Sequence, residues 1–169
     1  MHVTLLKPSD APQYRTLMLQ AYELAADAFT STPEERAAES ESWWVKRIVG
    51  EGAVFGAFEG EELLGTVALK FSSKPKTKHK AHVIGMYVSP SARGSGAGKK
   101  LLAAAVAHAR ARSGLQVLTL TVTQGNEAAI GLYRSAGFEE FGIEPMAILT
   151  PSGFKAKVHM WRSLAATAA

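Results

Sequence analysis

The chain has 169 residues, 47% hydrophobic and 20% charged, which suits one soluble domain burying about 70% of its unfolded surface. Its net charge of +4 comes without a dense Lys/Arg stripe interleaved with aromatics, so nucleic acid is not the expected partner. Cysteine is absent, which excludes disulfides, cysteine-held metals and any acyl-cysteine intermediate, and no metal is expected.

The start, Met1 to Lys7, lacks the basic residues and long apolar run of a signal peptide. No apolar stretch reaches the ~18 residues of a membrane span, so a cytoplasmic location is expected. His2–Lys7 alternates as a first strand closed by Pro8. Asp10 is a helix N-cap candidate with Pro12 in the first turn, and Leu17, Ala21, Leu24 and Ala25 carry the helical spacing toward Ala28. A second helix is predicted from the Thr32 cap through Trp43, Trp44, Ile48 and Val49 to Gly50.

Ala53–Phe58 and Leu63–Phe71 read as a hairpin around Gly60, followed by the basic loop Ser72–Lys80. Ala81–Val88 is the next strand. The helix from Gly98 to Arg112 places Leu101, Leu102, Ala105, Val106 and Ala109 on one face. Val117–Thr123 is a strand and Glu127–Ser135 a short helix. Phe138–Leu149 and Phe154–Leu164 form a last strand pair, and Ala165–Ala169 is expected to fray. There are no repeats or linkers, so residues 1–169 are expected to form one domain.

The most informative stretch runs from Ile84 to Leu102: a strand, a turn at Ser89-Pro90, a glycine-rich loop and a helix start. A curled backbone with exposed N–H groups at a helix N-terminus is a phosphate cradle. It is not a Walker A loop, because Leu101 follows Lys99 and Lys100 where Ser or Thr is needed. A Rossmann fingerprint fits poorly, since no acid follows about 20 residues on. The residues present are Arg-x-x-Gly-x-Gly (Arg93, Gly96, Gly98) after Tyr87-Val88-x-Pro90. This resembles the pyrophosphate loop of the GNAT superfamily of acetyl-CoA-dependent N-acetyltransferases. A second patch, a strand followed by Asn126, a short helix with Tyr133, and Gly137-Phe138, resembles the superfamily's downstream motif. The two patches cover residues 81–141.

The resemblance implies a single-domain α/β fold: a mixed, mostly antiparallel sheet with helices on both faces and splayed central strands. It implies acetyl-CoA as co-substrate. Arg93, Gly94, Ser95, Gly96, Ala97, Gly98 and Lys99 would hold the pyrophosphate, mostly through backbone N–H groups. The main chain of Met86, Tyr87 and Val88 would pair with the peptide-like arm. Tyr133 would be the donor to the departing thiolate, unless it is simply a packing aromatic one turn from Ala129. Asn126 would bond the arm or cap the short helix. A homodimer is compatible with the resemblance.

Direct transfer needs a neutral amine, and deprotonating a lysine-like amine (pKa ~10.4) at pH 7 costs about 4–5 kcal/mol. Many superfamily members place a glutamate on the central strand for this. Here the strand has no acid, and His82, six residues before Val88, stands where some members carry it. His82 is either that base or an ordinary strand-start histidine, and a bulge would change the face it points to.

The acceptor region is expected around Tyr22, Phe29, Trp43 and Trp44, among Glu23, Asp27, Glu34, Glu35, Glu39 and Glu41. Acids there would steer an amine cation, or the helix is a solvated one whose tryptophans cap the core. Glu144 is an acceptor contact or a surface residue. Lys74, Lys76, Lys78, His79 and Lys80 read as a solvated loop. The expected activity is N-acetyl transfer to a small-molecule or peptide amine; the alternative is a non-catalytic acyl-CoA sensor, which would not need Tyr133.

Overall fold

A computed structural model describes residues 1–165, so residues 166–169 of the expected fray lie outside the described residues. In chain order the elements are β1 (His2–Leu5), α1 (Ala11–Leu24), α2 (Pro33–Ala37), α3 (Glu41–Val49), β2 (Gly52–Glu59), β3 (Glu62–Phe71), β4 (Lys80–Val88), α4 (Ala97–Ala111), β5 (Val117–Thr123), α5 (Glu127–Ser135), β6 (Glu139–Thr150) and β7 (Gly153–Ser163). One seven-stranded sheet runs β1-β2-β3-β4-β5-β7-β6, antiparallel throughout except between β4 and β5.

Both faces of the sheet are covered. β2 and β3 are therefore buried almost continuously instead of alternating. On one face α4 lays down Leu101, Leu102, Ala105, Val106 and Ala109, the stripe its spacing predicts, against Phe55, Val67, Leu69, Ala81 and Val83. On the other, α1 and α3 pack Tyr14, Leu17, Met18, Trp44 and Ile48 against Val54, Phe58, Ala68 and Tyr87. Trp43 and Trp44 meet edge-to-face at 4.9 Å, and Trp44 is fully buried. No helix among the described residues is long and apolar enough to cross a membrane.

Three local expectations are corrected. The Asp10 carboxylate does not cap α1; it folds back to accept from the Lys7 N–H at 2.7 Å. The first helix ends at Leu24, because a 3-10 turn at Ala26–Ala28 is tied to the sheet through Thr123 Oγ1 to the Asp27 carbonyl and through a Lys155–Asp27 ion pair. The predicted second helix is two. Thr32 and Glu35 form a capping box on α2, while Ser40, in an extended conformation, accepts from the Trp43 N–H at 3.2 Å and starts α3 afresh. Ser40→Ala should therefore cost about 1 kcal/mol, read as a lower urea midpoint at unchanged slope.

Candidate functional site

The site begins where the sheet fails to close. β4 and β5 pair only at Lys80↔Val117, Ala81↔Leu118 and His82↔Thr119, after which the strands part. Beyond His82 the β4 backbone has no ladder partner on that side. The expected splay is thus present.

β4 also carries a bulge. Tyr87 pairs with Thr66 and Ile84 with Ala68, so Gly85 and Met86 together face Val67, and Gly85 adopts φ +62°. The extra residue inverts the alternation. Before it, Ala81 and Val83 face α4; after it, Met86 and Val88 do, and Tyr87 turns to the α1 side. The Tyr87 ring is buried there, its hydroxyl donating to Gln20 Oε1 at 3.2 Å. Tyr87 therefore offers the gap its main chain only.

The loop after β4 leads into α4. Arg93 Nε donates to the Val88 carbonyl at 3.4 Å, and Ser95 Oγ donates to the Ala92 carbonyl while accepting from the Ala97 N–H. Gly96, at φ +84°, is the N-cap of α4 and lends it no side chain. The first-turn N–H groups of Gly98 and Lys99 have no intrahelical acceptor and sit at the positive end of the helix dipole. A Cβ on Gly98 would come within 3.1 Å of Leu132, so the glycine lets α5 approach the loop closely. The Lys99 side chain lies in a separate groove between α4 and α5, with Arg110 and Arg162.

A cleft of about 340 Å³ occupies the gap and reaches both faces of the sheet. From the α5 side come Asn126, Ala129 and Tyr133; from the strands His82, Met86, Thr121 and Lys157; from the α1–α3 side Tyr22, Phe29, Thr30, Ser31 and Arg47. His82, Met86, Asn126 and Tyr133 are thereby brought together.

Tyr133 is 7% exposed and sits edge-on to Phe138 at 6.0 Å, and burial pushes its hydroxyl up to about 12. It is protonated across the neutral range. Asn126 Oδ1 accepts from the Ala129 N–H at 3.3 Å, so it caps α5 while lining the cleft. His82 is half-buried and its Nδ1 lies 2.8 Å from Thr119 Oγ1. Its pKa is lowered by burial first, then by His159, Lys70, Lys157 and Lys80. In the tautomer whose Nδ1–H donates to Thr119, Nε2 carries the free lone pair.

Glu144 accepts from His159 Nε2 at 2.9 Å and is largely exposed. The acids between residues 23 and 41 do not line the cleft; Asp27 and Glu34 line an adjoining outer cavity past Phe29 and Ser31. Arg47 and Lys157, which do line it, were not among the residues the sequence singles out. Arg47 follows Trp43 by one helical turn, but nothing along the chain tells which side of α3 meets the gap. Lys157 lies on β7, and only the sheet order puts that strand beside β5.

A family model described as the acetyltransferase (GNAT) family matches residues 18–138. Mycothiol acetyltransferase of Salinispora tropica is 32% identical over 123 residues, which are 68% of this chain and 39% of that protein. The chain spans about two fifths of the length of the curated relatives it matches first. Among solved structures, a ribosomal-protein-alanine N-acetyltransferase from Brucella melitensis is 25% identical with a TM-score of 0.81, covering 96% of this chain and 99% of that one. A GNAT superfamily phosphinothricin acetyltransferase from Sinorhizobium meliloti, solved with acetyl-CoA, shares the fold at 20% identity and a TM-score of 0.83, covering 96% of this chain and 87% of that one.

Proposed function

We propose, for a chain that belongs to the GNAT acetyltransferase family, that it moves an acetyl group from acetyl-CoA to a primary amine by direct attack in a ternary complex. The observation that carries this reading is the parting of β4 from β5 beyond His82, running straight into a glycine-rich helix N-terminus. An unpaired strand edge accepts an amide-bearing arm, and the N–H groups at the start of α4 suit a pyrophosphate.

When bound, acetyl-CoA supplies a thioester carbonyl, and the C–N bond forms as C–S breaks. The chain's own groups do the rest. His82 Nε2 takes the proton from the incoming ammonium or from the nitrogen as it bonds. A β4 main-chain N–H past the ladder's end donates to the carbonyl oxygen as charge builds there. Tyr133 Oη–H donates to the departing sulfur. The absence of cysteine leaves no thiol on the protein to carry the acetyl group.

Because the base form of His82 is the working one, activity is lost as pH falls through its pKa. Burial sets that pKa below the ordinary 6.5, so the acid limb of kcat/KM should have its midpoint below 6.5. His82→Gln should flatten the limb and lower the rate about 100-fold. An unchanged rate and profile would hand the proton to a water chain instead.

The test of the function itself is thiol release from acetyl-CoA across amines and short peptides, followed with a thiol reagent that meets no protein cysteine. Acceptor-dependent release is expected. Binding of acetyl-CoA with no release for any acceptor would instead mean a sensor module.

A further inference from the structure

The charged lining of the cleft is basic. Arg47 lines it from α3 and Lys157 from β7, and no aspartate or glutamate lines it. Both cations are drawn out of water without a carboxylate partner. Lys157 is 9% exposed, and Arg47 donates Nε to the Tyr14 hydroxyl at 3.2 Å. Among the described residues neither makes an ion pair within 4.0 Å. The acids that come near are already engaged: Glu144 with His159, and Asp27 of the outer cavity with Lys155. Glu34 lines only that outer cavity.

Two cations lining one small cleft that no acid lines would repel a plain amine cation. Leaving a buried cation without a contacting carboxylate is costly, and a bound anion would relieve that cost. The guanidinium fork of Arg47 is shaped for a carboxylate, and Lys157 adds a point charge to the same lining. The hydroxyls of Tyr22, Thr30 and Ser31 add neutral partners on the same wall. A volume of about 340 Å³, shared with the thioester arm, leaves room for a small molecule or one terminal residue.

Resting on the transferase reading above, we propose that the acceptor is a small primary amine that itself carries a carboxylate. The carboxylate is held by the positive lining that Arg47 and Lys157 give the cleft, and the amine faces His82. Arg47 and Lys157 are then specificity-determining residues, and the positive cleft is what selects an amino-acid-like acceptor over an uncharged one.

The experiment compares matched acceptors: each common amino acid against its carboxamide and its decarboxylated amine, by thiol release from acetyl-CoA. The wild-type chain should favour the carboxylate form by at least about tenfold in kcat/KM, the worth of one charge-assisted contact. In Arg47→Gln and in Lys157→Gln that preference should collapse through the acceptor KM, with the acetyl-CoA KM unchanged. Arg47→Lys, which keeps the charge, should restore part of it. Equal kcat/KM for the matched forms, or a preference that survives both glutamine variants, would overturn the proposal while leaving acetyl transfer intact. If no amine supports release, the transferase reading fails by itself, and calorimetric titration of the same compounds into the CoA-loaded protein decides this one. Carboxylate-dependent binding lost in Arg47→Gln supports it; equal binding of acid and carboxamide, or none, overturns it.

Discussion

Tyr133→Phe should slow acetyl transfer by about 10²–10³-fold while leaving acetyl-CoA affinity and the fold in place. The ring is buried edge-on to Phe138, so phenylalanine keeps that packing and deletes only Oη. Burial holds the hydroxyl's pKa at about 12, far above a thiol's ~8.5. In the proposed mechanism Tyr133 therefore keeps its proton while it faces the departing sulfur. Its contribution is a hydrogen bond that strengthens as negative charge gathers on sulfur, and it is lost mainly from kcat. Single-turnover rates on the variant, alongside a calorimetric Kd for acetyl-CoA, separate the two quantities. A variant as fast as wild type would reduce Tyr133 to a packing residue.

Gly96→Val should weaken acetyl-CoA binding about 10- to 100-fold. The residue stands at φ +84° with open space around its missing Cβ, so the obstacle is the backbone and not crowding. An L side chain in the left-handed region costs about 1–2 kcal/mol, and a β-branched one fares worse. The loop would relax toward an extended conformation and re-aim the N–H groups at the start of α4. Losing one charge-assisted hydrogen bond is worth about 1.5–3 kcal/mol, which gives the stated range. Ser95→Ala is the control: its hydroxyl bonds the Ala92 carbonyl and the Ala97 N–H inside the loop, so its loss should matter less. Equal affinities for the Gly96 variant and wild type would remove the loop as the pyrophosphate seat.

The helical spacing of α4 and the apolar runs of β2 and β3 were legible because burial against one neighbour, or on both faces, writes a simple period into the chain. The glycine-rich turn into α4 was legible because its pattern is local: glycines, a strand before, a helix after. The break between α2 and α3 was also written locally, in the Ser40 cap, but Trp43 to Val49 continue a helical spacing that masks it. The bulge at Gly85 was not legible, since alternation along β4 alone does not say where it inverts, and so the side on which the Tyr87 ring falls could not be read. Phe141, Ile143 and Met146 lie exposed on β6, and only the strand order, which makes β6 outermost, accounts for apolar side chains standing in solvent there. Arg47 and Lys157 come from distant stretches and share a cavity only because β4 and β5 part between them. An opening of that kind leaves no mark on either residue's neighbours.

The most direct measurement is an amide chemical-shift titration of the 15N-labelled chain with acetyl-CoA. Saturable shifts are expected at Met86–Val88, along the unpaired β4 edge, and at Gly94–Lys99, in the loop and first turn of α4. Binding that leaves those amides unmoved, or no binding at all, would contradict the proposed acetyl-CoA site.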